Sequence, residues 1–154
     1  MDDLGKVFFS PEGRMRRKDF WLAWIVLFAA GWLLNLAPPF GWILSLVGIW
    51  CSVCIHTKRL HDMGRSGWLQ LIQYVTWTVF TLFAVSVGAA AAVSAIIAGD
   101  DPAATFAALA GAGAVVLAFL LALLITLAFL LWVGLTPGQP GENRYGPPPP
   151  RPRG

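Results

Sequence analysis

Charged side chains are absent from three long stretches of the chain, 20–57, 66–99 and 102–141. Long apolar stretches are typical of helices that cross a lipid bilayer, whose hydrocarbon core of about 30 Å is spanned by about 20 helical residues. Each of the three stretches exceeds that length. The pattern therefore predicts an all-α, polytopic membrane protein.

The first stretch is long enough for two spans and contains an interruption between them. Pro38 and Pro39 cannot continue a helix, and Gly41 permits a tight reversal of the chain. We therefore predict a first span over 20–36 and a second span over 41–55.

The second and third stretches are separated by the sequence GDDPAAT, in which Pro102 breaks the helical pattern. The firmly buried parts are expected near 69–91 and 115–133, which completes a four-helix transmembrane bundle. The Ala- and Gly-rich residues around 86–113 are only weakly hydrophobic, and their course stays open. A helical hairpin that projects beyond the bilayer is one arrangement that fits them.

Composition supports the membrane class, because 57% of the residues are hydrophobic and only 12% are charged. A cleaved secretory signal is the competing interpretation of the first stretch. Its apolar run is longer than the roughly 7–15 residues of a signal core, and no A-x-A cleavage site follows. We expect an uncleaved anchor.

The basic residues predict how the chain is oriented, because Lys and Arg are retained on the cytoplasmic side. All eleven Lys and Arg residues fall outside the predicted spans, in the first 19 residues, the loop at 58–67 and the C-terminal tail. They are Lys6, Arg14, Arg16, Arg17, Lys18, Lys58, Arg59, Arg65, Arg144, Arg151 and Arg153. Four spans with both termini in the cytoplasm satisfy this distribution.

The resulting domain organisation has three parts. A cytoplasmic N-terminal segment covers 1–19, a four-span transmembrane domain covers 20–135, and a cytoplasmic tail rich in Pro and Gly covers 136–154. Proline and glycine at this density forbid regular helix in the tail, and its last residues favour an extended polyproline conformation.

A short interfacial helix is predicted before the first span. Ser10 is a favourable N-cap, Pro11 suits the first helical position, and Glu12 suits the positive helix start. On such a helix Arg14 and Arg17 lie on one side. These arginines are expected to approach the loop at 58–67.

The three cytoplasmic segments carry complementary polar side chains. Asp62 is an acceptor among many arginines, and either Ser66 or Asp62 is placed to cap the third span. In the tail, Asn143, Arg144 and Tyr145 are the side chains suited to a specific contact. The candidate polar cluster consists of Arg14, Arg17, Arg59, His61, Asp62, Ser66, Asn143, Arg144 and Tyr145.

Several functions of this cluster stay open. A clasp that fixes the three segments suits a non-enzymatic scaffold or interaction module. Arginines left over after pairing with Asp62 suit anionic lipid headgroups or phosphorylated ligands. An enzyme using His61 and Asp62 is disfavoured, since neighbours in sequence do not face each other on a helix. A coupled transporter is disfavoured because the spans have no charged side chain.

No cofactor or metal is expected. The sequence CSVCIH misses the C-x-x-C-H haem motif by one residue. On a regular helix Cys54 and His56 point in different directions, so they cannot share one tetrahedral ion. The expected partners are membrane lipids, anionic ones on the cytoplasmic face, and a second copy of the chain in a homo-oligomer. We expect no nucleic-acid partner.

Three short sequences stand out at the cytoplasmic segments: GRMRRKDFW near the N-terminus, KRLHDMGRSGW in the middle and GENRYGPPP in the tail. They resemble the hallmarks of a bacterial inner-membrane family known as domain of unknown function 805. The matching positions are Gly13, Arg14, Arg17, Phe20, Trp21, Arg59, Leu60, His61, Asp62, Ser66, Gly67, Trp68, Asn143, Arg144, Tyr145 and Gly146. The resemblance implies a small multi-span protein of the bacterial inner membrane and assigns no activity.

Overall fold

The computed structural model describes residues 4–34, 41–98 and 101–149. Across these residues the protein is all-α, as predicted, and a short 3₁₀ helix (Gly67–Gln70) precedes the fourth α-helix. The α-helices are α1 (Leu4–Phe9), α2 (Arg17–Leu34), α3 (Gly41–Asp62), α4 (Leu71–Ala98) and α5 (Pro102–Leu135).

Helices α2 and α3 occupy the first two predicted spans, and the break predicted at Pro38 and Pro39 lies outside the described residues. The loop predicted over 58–67 is wrong in its first half, because α3 continues to Asp62. Two residues after the end of the helix stands Gly64, whose φ of 71° is the left-handed conformation that glycine adopts readily. The amide of Arg65 then donates to the carbonyl of Leu60 at 2.8 Å, which completes a Schellman motif.

The prediction of an interfacial helix from Ser10 onward is also wrong. The short helix α1 lies earlier, and residues 10–16 are not helical. The Ser10 hydroxyl accepts a hydrogen bond from the Glu12 amide at 3.3 Å, which forms a local turn instead of a helix cap. Gly13 has a φ of 88°, so a helix could not continue through it. The Met15 amide donates to the Lys58 carbonyl at 3.2 Å, which attaches this segment to α3.

The chain divides into two compact units, of which the first contains α1, α2, α3, the 3₁₀ helix and the residues from Leu131 onward. Both α1 and α2 pack against α3. Phe20, Cys54, Ile55, Leu60 and Val133 are completely buried in this unit. Apolar burial of this kind is the main favourable contribution to its stability.

The second unit comprises residues 71–130, from α4 and most of α5. The indole Nε1 of Trp77 donates to the Thr126 hydroxyl at 3.0 Å, and the Trp77 and Phe119 ring centroids are 6.0 Å apart. A Cβ at Gly111 would lie 3.0 Å from Val87, so the missing side chain lets the two helices approach closely.

The Ala- and Gly-rich residues whose course the sequence left open are helical where the structure describes them. They form the end of α4 and the beginning of α5. Asp101 caps α5, because its Oδ1 accepts a hydrogen bond from the Ala103 amide at 2.9 Å. The proline at position 102 takes the first helical position, where its missing amide costs nothing.

Two helical segments within the described residues are long and apolar enough to cross a membrane, Gly67–Ile97 and Pro102–Leu135. Large apolar side chains are also exposed on α2, where Trp32 is 70% exposed and Leu22 is 65% exposed. Exposure of this extent on a soluble surface would be costly, and it is typical of a protein surface that meets lipid.

Candidate functional site

Asp62, the last residue of α3, accepts hydrogen bonds from two arginines. The Arg59 Nη1 lies 2.6 Å from one carboxylate oxygen, and the Arg14 Nε and Nη2 each lie 3.0 Å from the other. The side chains of Arg59, Arg14 and Asp62 are 0%, 1% and 7% exposed. Both carboxylate oxygens are therefore engaged in buried, charge-assisted hydrogen bonds.

Arg59 also joins α3 to the end of α5 and to the N-terminal segment. Its Nε donates to the Val133 carbonyl at 3.0 Å, its Nη1 to the Met15 carbonyl at 3.4 Å and its Nη2 to the Thr136 carbonyl. Burial lowers the pKa of the Arg59 guanidinium below its ordinary value, while Asp62 opposes this change. The carbonyl partners and Asp62 together make a buried guanidinium tolerable.

Arg14 attaches the C-terminal tail to the same carboxylate. Its Nη1 donates to the carbonyls of Gly141 at 2.7 Å and Gly146 at 3.2 Å, and its Nη2 donates to the carbonyl of Gln139. An arginine can make these contacts at once because its planar guanidinium presents five N–H donors. The segment around Arg14 is therefore tied to three points of the tail.

The tail also binds the backbone at the end of α3. The Gln139 amide donates to the Asp62 carbonyl at 2.8 Å, and the Asn143 side-chain amide donates to the His61 carbonyl at 2.9 Å. Both carbonyls belong to the last turn of α3, whose acceptors have no partner within the helix. The His61 carbonyl also accepts from the Gly64 amide at 3.0 Å, so the tail adds a second donor to it and supplies the donor for the Asp62 carbonyl.

A tight turn shapes the tail where it contacts α3. The Tyr145 amide donates to the Asn143 Oδ1 at 2.9 Å, and the backbones of Asn143 and Gly146 exchange two hydrogen bonds. Gly146 has a φ of 113°, a backbone conformation that residues with a Cβ rarely adopt. The sequence NRYG therefore forms a turn that presents Tyr145.

The Tyr145 ring stacks on the imidazole of His61. The ring centroids are 3.6 Å apart, the planes differ by 7°, and the Arg144 guanidinium carbon lies 4.7 Å from the Tyr145 centroid. Within the described part of the chain, the buried Nδ1 of His61 has no hydrogen-bond partner. Burial lowers the pKa of His61 below 6.5, a hydrogen bond with the Gly13 backbone opposes this change, and the positive charge of Arg144 adds to it.

Lys58, which the sequence placed in the loop at 58–67, is buried and holds α1 in place. Its ammonium donates to the carbonyl of Lys6 and, at 3.2 Å, to the carbonyl of Val7. The Trp50 indole donates to the Phe9 carbonyl at 3.3 Å. Cationic and indole donors on α3 thus satisfy carbonyls at the end of α1.

The structure brings most of the predicted cluster together. Asp62 was expected among five arginines, and in the structure Arg14 and Arg59 pair with it. Residues that contact one another in the cluster are Arg14, Arg59, His61, Asp62, Asn143, Arg144 and Tyr145.

Arg17 and Ser66 have other contacts. Arg17 donates to the Leu135 carbonyl at 3.3 Å. The Ser66 hydroxyl accepts a hydrogen bond from the Trp68 amide at 3.4 Å, at the start of the 3₁₀ helix that leads into α4. This position agrees with the expected capping role of Ser66.

Sequence reasoning missed Gly138 and Gln139. A Cβ at position 138 would overlap the Asp62 carboxylate, and the Gln139 side chain lies over Gly64. The signal was present in TPGQPG, where a polar residue stands between two glycines and two prolines. Runs rich in proline and glycine are usually solvated, so composition alone does not reveal that the backbone at Gly138 approaches the Asp62 carboxylate.

The geometry suits structural support better than catalysis. Two cations hold the Asp62 carboxylate, and the neighbouring His61 is stacked on a tyrosine. A general base needs a carboxylate or imidazole that can reach a substrate proton. Both oxygens of Asp62 are already engaged, so the described residues form a clasp between three segments of the chain.

These features define an α-helical protein with two candidate membrane spans and a polar clasp around one aspartate. The family described as "Protein of unknown function (DUF805)" matches residues 8–147, and the chain belongs to this family. It is similar to the protein described as "Uncharacterized protein YiiR" in Escherichia coli strain K12 and in Escherichia coli O157:H7. In each comparison 30% of 146 residues are identical, which covers 90% of this chain and 84% of the relative. No solved structure matches the chain.

Proposed function

We propose that the protein is a non-enzymatic scaffold or interaction module of the bacterial inner membrane, with four spans and both termini in the cytoplasm. Two spans correspond to α4 and α5, and the other two lie within α2 and within residues 41–55 of α3. The exposed apolar side chains of α2 and α3, including Trp32, Ile49 and Trp50, support this assignment. The concentration of Lys and Arg in the three segments of the clasp supports the orientation.

The contacts of Asp62 carry the structural interpretation. Its two arginines donate further hydrogen bonds to backbone carbonyls of the N-terminal segment, α5 and the tail. A ligand-binding arginine keeps its donors for the ligand, whereas Arg14 and Arg59 use theirs on the protein itself. The clasp therefore fixes the cytoplasmic surface that the module would present, and a second copy of the chain is the partner we propose.

Substitution of Asp62 tests the clasp. Asp62→Asn keeps the shape of the side chain and leaves two buried guanidiniums without their counter-charge, which is expected to cost about 3–5 kcal/mol. Glu142→Gln is the matched control, because it removes one negative charge from an exposed side chain in the same region. In detergent, the free energy of unfolding should fall for Asp62→Asn and stay close to the wild-type value for Glu142→Gln. Equal free energies of unfolding for the two variants would contradict the clasp.

Cysteine labelling tests the orientation. Single cysteines replace Arg65, Glu142 or Asp101, all exposed, in a chain whose Cys51 and Cys54 are replaced by alanine. In intact cells a membrane-impermeant thiol reagent should label position 101 and should not reach positions 65 and 142. Labelling of position 65 or 142 from outside would contradict the proposed topology.

Binding of anionic headgroups or phosphorylated ligands is the second candidate function. A cavity of about 560 Å³ beside the clasp, lined in part by Arg16, Arg17 and Arg59, favours it. A scaffold with this cavity would respond to the lipids around it.

A further inference from the structure

The cavity beside the clasp lies where the N-terminal segment, the end of α3 and the tail meet. Arg16 and Arg17 line it on one side, Arg59 and Asp62 line it at the end of α3, and residues 138–140 and 148–149 of the tail complete it. Its volume of about 560 Å³ exceeds what one water or one small ion requires. All of these residues belong to one compact unit.

The charge on the cavity wall is unbalanced. Three guanidinium groups and one carboxylate line the wall, which gives a net charge of plus two. The carboxylate of Asp62 is already paired with Arg59 at 2.6 Å and with Arg14, which lies outside this count. The positive charge of Arg17 acts on buried Arg59 and lowers its pKa. An anion in the cavity would relieve this repulsion.

Arg16 and Arg17 retain donors for such an anion. Arg16 donates to the Pro149 carbonyl and Arg17 to the Leu135 carbonyl, both at 3.3 Å. Within the part of the chain that the structure describes, these are the only hydrogen bonds that the two guanidinium groups donate, and each guanidinium has five N–H groups. In this respect the two differ from Arg14 and Arg59, whose donors are engaged in the clasp.

We infer that this cavity binds a phosphate group through Arg16 and Arg17. The inference deepens the second candidate function above and rests on it. A phosphate monoester carries close to two negative charges and a phosphodiester carries one, and arginine holds either with paired hydrogen bonds. Arg17 is the first residue of α2 and is followed within three residues by apolar Phe20. If α2 spans the bilayer, the cavity lies at the depth of lipid headgroups, although a free phosphorylated metabolite would offer the same chemistry.

The test uses the full chain purified in a neutral detergent. It is titrated separately with phosphatidylglycerol, phosphatidylcholine and inorganic phosphate, and bound ligand is measured by native mass spectrometry. The variant Arg16→Gln with Arg17→Gln is compared with Lys18→Gln with Arg65→Gln. The second pair removes the same charge from exposed side chains that do not line the cavity.

We expect the wild type to retain phosphatidylglycerol or inorganic phosphate in preference to phosphatidylcholine. The Arg16 and Arg17 double variant should lose on the order of tenfold in affinity, which corresponds to the loss of one or more charge-assisted hydrogen bonds. The control pair should retain its affinity. Preference for phosphatidylglycerol alone identifies a lipid headgroup, and equal binding of inorganic phosphate identifies a free phosphate as sufficient.

Equal loss in the two double variants would overturn the inference, because it would show attraction to a basic surface without a site. Absence of any preference in the wild type would also overturn it, and that measurement needs no variant to fold. Failure of the clasp is a separate result, seen as unchanged ligand-free unfolding of Asp62→Asn.

Discussion

His61 and Tyr145 lie 84 positions apart in the sequence and stack with ring centroids 3.6 Å apart and planes 7° from parallel. This contact joins the last turn of α3 to the turn that NRYG forms in the tail. The Arg144 guanidinium lies over the Tyr145 ring of this pair. A neutral imidazole is favoured in this position, because burial and Arg144 both disfavour its charged form.

Acidification is therefore expected to destabilise the protein through His61. Its pKa in the folded state is below the ordinary value of 6.5, so the unfolded state binds more protons between the two values. Stability then rises with pH across that window and falls as the pH drops below 6.5. The variant His61→Phe keeps an aromatic ring for the stack and cannot titrate.

Detergent unfolding measured between about pH 7.5 and about pH 5.5 checks this expectation. The free energy of unfolding of the wild type, relative to that of His61→Phe, should decrease as the pH falls. Only the wild type loses the stability that a neutral His61 contributes. A difference that stays constant with pH, or that grows on acidification, would contradict this assignment.

Gly138 should be the most sensitive glycine of the tail. A Cβ at this position would overlap the Asp62 carboxylate, so Gly138→Ala must displace either the tail or the ion pair. Overpacking of this kind costs about 1–3 kcal/mol. Gly141→Ala is the control, because nothing lies within 4 Å of a Cβ placed there. Thermal unfolding that ranks Gly141→Ala as equally harmful would contradict the proposed packing.

Arg59 should not be replaceable by lysine. A lysine keeps the positive charge but cannot donate in the planar arrangement that reaches Asp62, Val133 and Thr136 together. We expect Arg59→Lys to lower the free energy of unfolding by about 2–3 kcal/mol. Arg65→Lys, at an exposed position, should change it little. Chemical denaturation of the two variants in the same detergent makes the comparison.

The apolar pattern predicted the helices well because it reflects one physical requirement, the burial of about 20 apolar residues per span. It placed Gly41 at the start of the second span, where α3 begins, and a break in the helical pattern at Pro102, where α5 begins. It ended α3 too early, because the polar residues Lys58, Arg59 and Asp62 were assigned to a loop. In the structure these residues are helical, and their side chains are satisfied by other segments.

The sequence predicted which segments meet at the candidate site. It did not predict which side chains bind one another there. Charge complementarity indicated that Asp62 would find arginines, and it could not select Arg14 and Arg59 from the others. That choice depends on Gly13, whose positive φ replaces a predicted helix by a turn. It also depends on backbone carbonyls of the tail, which a sequence does not display as candidate partners.

The clasp depends above all on the interaction between Arg14 and Asp62, which are 48 positions apart in the sequence. A double-mutant cycle tests it directly, with Arg14→Gln, Asp62→Asn and the combined variant unfolded in the same detergent. We expect a coupling free energy of at least about 1 kcal/mol, since residues in one ion-pair network do not contribute additively. Additive effects of the two substitutions would contradict it.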